Sequence, residues 1–146
     1  MEERSNNYDE LINNLELENL FFLEASAKRE EDFSPPANIK ITRKQEYKNE
    51  GNKIKVYVNY LLKAIKKGSK EPGFSLSVKY LVIYKSKIQM ANDSFEKFSK
   101  TSLLVEIWPY FREYVHETTM RLGLPPLILN LLKRKQSSRK KKSSKN

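Results

Sequence analysis

The segment from Trp108 to Leu129 constrains the fold more than any other part of the chain. It reads Trp-Pro-Tyr-Phe-Arg-Glu, continues as a helical run to Leu122 and leaves through Gly-Leu-Pro-Pro-Leu-Ile-Leu. Apolar residues recur in this segment at spacings of three, four and seven, which places them on one face of a helix. A sheet or a partner must cover that face. The residues are Leu104, Trp108, Phe111, Val115 and Leu122. Gly123 can take positive φ as the C′ residue, and Pro125-Pro126 prevents the helix from resuming.

Upstream of this helix, three runs alternate between apolar and polar residues, as strands with one buried face do. They lie at about residues 39–47, 54–64 and 74–84, with turn residues at 49–52 and 67–73. Residues 15–28 alternate less regularly, because Leu20 and Phe22 put apolar groups on both faces. We interpret them as a long first strand, with a helix starting near Tyr8 as the alternative. Asn92-Asp93-Ser94 offers an N-cap for a short helix that holds Phe95 and Phe98.

Two motifs at a fixed separation give the chain a family resemblance. An aromatic-Pro-Tyr-x-Arg-Glu segment, about ten helical residues and a Gly-x-Pro-Pro-Leu-x-Leu exit together resemble the C-terminal half of the export chaperone SecB and its SecB-like relatives. Phe33-Ser34-Pro35, which leads into the second strand, resembles the SecB crossover loop. The resemblance covers roughly residues 15–130. It implies an α+β fold in which a four-stranded antiparallel sheet packs against a long C-terminal helix.

The resemblance also implies an activity, since SecB-like proteins hold unfolded polypeptides in long apolar grooves without ATP. They assemble as a dimer of dimers through helices and sheet edges, so we expect a homo-oligomer. By position, the residues expected to bind clients are Phe22, Phe33, Ile39, Ile41, Leu127 and Leu129. The residues expected at the oligomer interface are Trp108, Tyr110, Tyr114 and Val115.

The charge of the sheet departs from the family pattern. In SecB, acidic residues on the exposed sheet surface help to dock the translocation motor SecA, whereas the matching strands here carry Lys53, Lys55, Lys63 and Lys79. This reversal argues against docking on SecA. Holding clients for export, for another pathway or for an aggregation-prone antitoxin all remain open.

The charge distribution divides the chain into three parts. Residues 1–14 are polar and acidic, and we expect a flexible N-terminus there. Residues 15–132 form the expected chaperone domain. In residues 133–146, eight of fourteen side chains are Lys or Arg, and such a block repels itself and favours disorder. The net charge of +10 gives an alternative hypothesis, in which the chain binds nucleic acid through this lysine-rich tail.

The chain has few of the side chains that catalysis or metal binding requires. The chain has no cysteine and one histidine, His116, so the sequence predicts no metal site and no thiol nucleophile. The four glycines form no phosphate-binding loop, and we expect no cofactor and no enzyme activity. No apolar run approaches the length of a membrane span, and no leader is recognisable, so we expect a cytoplasmic protein.

Overall fold

A computed structural model of the chain describes residues 2–130. Within these residues, four strands form one antiparallel sheet and three helices accompany it. The helices are α1 (Glu2–Asn14), α2 (Asn92–Lys100) and α3 (Ser102–Arg121). The strands are β1 (Glu16–Arg29), β2 (Asn38–Glu50), β3 (Lys53–Ile65) and β4 (Phe74–Lys85). The expected α+β class, with a four-stranded antiparallel sheet and a long C-terminal helix, is confirmed. The predicted basic tail, 133–146, lies outside the described residues.

The strand order is β1-β4-β3-β2, with every neighbouring pair antiparallel. Strands β2, β3 and β4 follow one another as hairpins, and Gly51 and Gly68 supply positive φ angles of 61° and 85° between them. The segment 30–37 then has to connect β1 at one edge with β2 at the other, as in a Greek key. We call it the crossover. Its passage over one end of the sheet leaves β1 and β2 as the two edge strands.

One sheet face is covered by α3 and forms the core. The alternation predicted for β3 and β4 is observed, since every second residue from Ile54 to Ala64 and from Phe74 to Tyr84 is buried. From α3, a row of residues four apart meets them: Leu103, Ile107, Phe111, Val115 and Thr119. The rings of Tyr60 and Phe111 stack with centroids 4.1 Å apart.

The buried helix face differs in part from the predicted one. Phe111 and Val115 belong to both, but Leu104, Trp108 and Leu122 are only half-buried. These three side chains lie on the flanks of α3, and Trp108 and Leu122 pack against the core from there. A helix lying on a sheet buries one row of residues four apart, and apolar residues beside that row produce the same spacing in the sequence.

Where the sequence predicts a flexible N-terminus, the structure has helix α1. Tyr8, Leu11, Ile12 and Leu15 are spaced as one helix face, and Leu11 is fully buried in the core. The ammonium group of Lys97 in α2 lies 4.3 Å from the centroid of the Tyr8 ring. Burial of this short apolar face stabilises a helix that the polar composition of the segment does not reveal.

The structure shows where α2 begins and how α3 continues and ends. The N-cap of α2 is Ala91, whose side chain cannot cap the helix, whereas the predicted cap residue Asn92 lies inside α2 and accepts a hydrogen bond of 2.6 Å from the Tyr47 hydroxyl. Pro109 lies inside α3, which continues through it from Ser102 to Arg121. Helix α3 then ends as predicted, with Gly123 at a φ of 75°.

Arg29, the last residue of β1, connects the sheet, the crossover and the end of α3. Its guanidinium donates hydrogen bonds to the carbonyl oxygens of Leu122 at 2.6 Å and of Phe33 at 2.8 Å. The Phe33 ring lies directly against Gly73, in the space that a Cβ atom on residue 73 would occupy. Phe33 is therefore buried, and the absence of a side chain at residue 73 makes this possible.

We predict that Gly73→Ala lowers the free energy of unfolding by about 1–3 kcal/mol, because the new methyl group overlaps the Phe33 ring. Urea unfolding followed by circular dichroism measures this loss. In a Phe33→Ala background, where the space is open, adding Gly73→Ala should cost far less. An equal cost in both backgrounds would contradict the proposed contact.

Candidate functional site

Strand β1 leaves a long, apolar sheet edge open. Almost all of its side chains are exposed, and four of them are large and apolar. These are Leu17, Phe21, Phe22 and Leu23. The pairing with β4 shifts between Leu17 and Asn19 and again between Phe22 and Glu24, as at β-bulges. Each shift adds one residue to β1, so the residues opposite the buried side chains of β4 change from odd to even numbers and back: Leu17, then Leu20 and Phe22, then Ala25. This change explains the irregular alternation of the sequence.

Phe22 lies where this edge meets α3. Its ring contacts Tyr80 and Tyr114 edge-on, with centroid distances of 5.0 Å and 5.2 Å, yet 45% of the residue is exposed. Phe22 and Tyr114, with Tyr110 and the charged residues Glu113, Glu117 and Arg121, line a shallow depression that we call the β1-side depression. Burial raises the pKa of the Tyr80 and Tyr114 hydroxyls, so both stay protonated at neutral pH.

The opposite edge strand, β2, is held by polar contacts over its second half. Arg43 donates a 2.8 Å hydrogen bond to the carbonyl oxygen of Ser99 in α2. The side chain of Asn49 both donates to and accepts from the backbone of Met90, at 2.9 Å in each case. Helix α2 therefore covers this half of β2. Nearer the start of the strand, Ile41 is half-buried and Ile39 is 40% exposed.

Residues 124–130, which we call the exit segment, run back along α3. The amide of Leu127 donates to the Thr119 hydroxyl at 3.0 Å. Further along, Arg112 Nε donates to the carbonyl oxygen of Leu129 at 2.8 Å, and Trp108 Nε1 donates to that of Asn130 at 2.9 Å. These donors lie progressively nearer the start of α3, so the segment follows the helix toward its N-terminus.

The exit segment lies on the β2 side of α3. Trp108, which holds its end, also contacts Tyr60 of β3 with ring centroids 6.2 Å apart, and β3 is the neighbour of β2. Leu127 and Leu129 pack partly buried against the core from this side, as Ile41 does. We name the residues that share this side the β2-side strip. They are Ile39, Ile41, Leu127 and Leu129.

The six residues expected to bind clients therefore fall into three places. Four of them form the β2-side strip. Phe22 lies at the other sheet edge, three strand spacings or about 14 Å away. Phe33 is buried against Gly73 and offers little surface to a ligand.

The four residues expected at an oligomer interface also lie in three different places. Tyr110 and Tyr114 line the β1-side depression, where a partner could reach them. Trp108 lies on the β2 side and binds the exit segment. Val115 is fully buried against the sheet, so its side chain contributes to the protomer core.

Sequence reasoning missed the residues that hold the site together. Arg29 and Arg112 each bind backbone carbonyl oxygens that are distant in sequence, by 93 and 17 residues respectively. A single arginine gives no pattern, and a carbonyl acceptor is present on every residue. The Arg112 side chain also lines a depression with His116 and Ile128, between α3 and the exit segment.

Residues 2–130 hold no group of three or more His, Asp or Glu side chains placed to bind a metal ion. His116 lies on α3 beside the exit segment. In the same part of the chain, no helix combines the length and apolar character needed to cross a membrane.

The arrangement of sheet, crossover and helix has a counterpart among solved structures. A SecB-like chaperone of Mycobacterium tuberculosis, in complex with a ChAD peptide from the HigA1 antitoxin, matches with a TM-score of 0.72. The match covers 90% of this chain and 99% of the other, at 17% sequence identity. The chain has the SecB-like fold.

Other comparisons add little to this result. A protein of unknown function from Streptococcus agalactiae shares 16% identity over 80% of this chain and 98% of its own, with a TM-score of only 0.37. No protein-family profile and no curated protein sequence matches the chain. The SecB-like fold is thus recognisable from the backbone and the short motifs, and not from overall sequence similarity.

In this SecB-like fold, we predict that Arg112→Met loosens the exit segment, because the hydrogen bond to Leu129 is lost. Amide hydrogen exchange at residues 127–130 should become at least about fivefold faster, since a hydrogen bond from a charged donor contributes about 1.5–3 kcal/mol. Arg121→Met removes an exposed charge from the same helix and serves as the control. Equal exchange in both variants would contradict a fastening role for Arg112.

Proposed function

We propose that the chain is an ATP-independent molecular chaperone, a holdase that binds unfolded polypeptides and keeps them soluble. One observation carries this proposal: a SecB-like fold leaves large apolar side chains exposed on both sides of its long helix. Exposed apolar surface of this kind is typical of proteins that bind apolar partners. The SecB-like neighbour was solved with a peptide bound, which supports a polypeptide as the partner.

The β2-side strip is the best candidate for the client groove. It combines partly buried leucines of the exit segment with Ile39 and Ile41 at the uncovered start of β2. Ile128, between the two leucines, is 68% exposed and lines a depression with Arg112, His116 and Leu129. An apolar client side chain that leaves water here contributes about 1.5–3 kcal/mol. Because ordering a flexible chain offsets much of this, tight holding requires several segments bound at once.

The β1 edge is the best candidate for assembly. Its backbone groups face outward without a strand beside them among the described residues, and four of its exposed side chains are large and apolar. Such an edge pairs readily with another strand. A second copy can meet it through a twofold axis, with Phe22, Tyr110 and Tyr114 as contact residues. Dimers formed this way could then associate as the expected dimer of dimers.

Two observations bear on the clients and partners of such a chaperone: the peptide bound by the neighbouring structure and the lysines on the sheet face turned away from α3. The neighbouring chaperone binds a peptide from an antitoxin, so a chaperone dedicated to an antitoxin is the first specific alternative to general holding or export. The open sheet face carries lysines where SecB carries acidic residues, which argues against docking on SecA. We place the activity in the cytoplasm.

Nucleic-acid binding remains the competing function because of the net charge of +10. The tail at 133–146 would supply it, through phosphate contacts that weaken steeply with salt. Comparing the full chain with a version ending at Leu132 in a holding assay distinguishes the two functions. Protection by both forms supports the holdase, and protection by neither contradicts it.

We predict that Ile39→Ser weakens client holding. An exposed apolar contact is lost, so the ratio of chaperone to client needed to suppress aggregation of a chemically unfolded protein should rise about twofold or more. Light scattering without nucleotide measures this ratio. Leu61→Ser is a matched control, because Leu61 is similarly exposed, at 37% against 40%, but lies on the opposite sheet face. An equal loss in both variants would contradict the β2-side strip as the client site.

We predict that Phe22→Glu dissociates the oligomer, since a charge at the centre of an apolar interface loses its hydration. The molar mass, measured by light scattering after size-exclusion chromatography, should fall at least to half. Leu61→Glu introduces the same charge on the open sheet face and should leave the mass unchanged. Loss of assembly in the control alone would reverse the assignment of the interface.

A further inference from the structure

The sheet face turned away from α3 is the open face, and its lysines divide into two groups. Near the β2–β3 turn three of them form ion pairs: Lys53 pairs with Glu18 at 3.0 Å, and Lys48 and Lys55 both pair with Glu50, at 3.3 Å and 3.0 Å. Lys55 and Lys48 lower the pKa of Glu50, chiefly through the hydrogen bond with Lys55. In this half, which also holds Lys85 opposite Lys53, two carboxylates offset part of the positive charge.

The half nearer the crossover is different. Lys40 of β2 lies directly opposite Lys63 of β3. Further along the strands, Asn59 of β3 lies between Lys44 on β2 and Lys79 on β4. We call Lys40, Lys44, Lys63 and Lys79 the lysine cluster. None of the four has a carboxylate within 4.0 Å among the described residues, although Glu24 of β1 faces Lys79 across the strands.

This arrangement is unfavourable for the isolated fold. Like charges directly opposite each other on neighbouring strands destabilise a sheet, and the ion pairs that relieve the other half are missing here among the residues described. The row between the two pairs of lysines holds three hydroxyl residues and the exposed Leu61, and the Ser26 and Ser77 hydroxyls lie 3.0 Å apart. Ammonium and hydroxyl groups together solvate anions, and a patch of one sign attracts a partner of the other sign.

An apolar row borders the lysine cluster. Phe21, Leu81 and Tyr57 face one another across β1, β4 and β3, one step beyond Lys79. Phe21 is exposed, whereas Leu81 is buried. The Lys79 ammonium lies 5.8 Å from the centroid of the Tyr57 ring. This row suits the apolar side chains of a polypeptide better than stacked bases, which need open ring faces.

We propose that the open face is a docking surface for a polypeptide segment in which acidic residues stand next to apolar ones. The acidic residues bind the lysine cluster, and the apolar residues bind the row from Phe21 to Tyr57. The cations are all lysines, whose flexible ammonium groups act as point charges and can bind carboxylates in varied geometry. The surface lies opposite the β2-side strip, so a docked partner and a held client do not compete for the same residues.

The test is fluorescence anisotropy of a labelled peptide in which a run of glutamates is followed by leucine and phenylalanine. The variant Lys40→Gln/Lys44→Gln/Lys63→Gln removes most of the lysine cluster. The variant Lys48→Gln/Lys53→Gln/Lys85→Gln removes the same charge from the other half of the open face. Both retain the full chain, including residues 133–146, so any contribution of the tail is common to both.

We expect the cluster variant to bind the peptide at least about tenfold more weakly and the control variant to stay within about threefold of the native chain. Affinity for the native chain should fall as salt rises. Equal weakening in both variants, or no binding by the native chain, overturns the proposal. A single-stranded oligonucleotide that binds more tightly than the peptide, and depends on the same cluster, overturns it in favour of a nucleic-acid partner.

Discussion

The packing of one helix on a four-stranded sheet determines most of what this protein presents to its surroundings. With its side chains, a helix is about 10–12 Å wide, whereas four strands span about 14 Å between the outer backbones alone. Helix α3 therefore covers β3 and β4, where Phe111 stacks on Tyr60, and leaves β1 and β2 projecting on either side. The two apolar surfaces beside α3 are a consequence of this difference in width. On the β2 side, the exit segment with Leu127 and Leu129 adds to the surface that this difference leaves.

Much of the fold was predictable, because β3 and β4 lie at the centre of the sheet, with one face buried under α3 and the other more exposed. Their alternation follows directly from that difference, and the end of α3 at Gly123 follows from the φ angle that only glycine adopts easily. Strand β1 is an exposed edge with two bulges, so its pattern is weak. Helix α1 was missed because its few apolar residues stand among polar ones and bury only one side of a short helix.

The candidate site was less predictable, because it depends on which strands become neighbours. Phe22 and Ile39 are both apolar residues of segments predicted to be strands, and only the order β1-β4-β3-β2 shows that they lie on opposite edges of the sheet. The sequence fits Phe33 equally as a loop residue packed into the core or as part of a client groove, and the contact of its ring with Gly73, forty residues away, decides for the core. The lysine cluster has the same origin. Lys40 and Lys63 are unremarkable charges until the register of β2 and β3 places them face to face.

The two bulges in β1 also determine what this edge can pair with. Glu18 and Leu23 each add a residue for which β4 has no partner, so the outward N–H and C=O groups do not follow the regular spacing of a ladder. A passing strand of arbitrary sequence can bond to such an edge only over a few residues. A strand with the same two irregularities, running in the opposite direction, can match it along more of its length. In the proposed dimer, the backbone spacing of this edge would favour a second copy of the chain over an unfolded polypeptide, independently of the side chains.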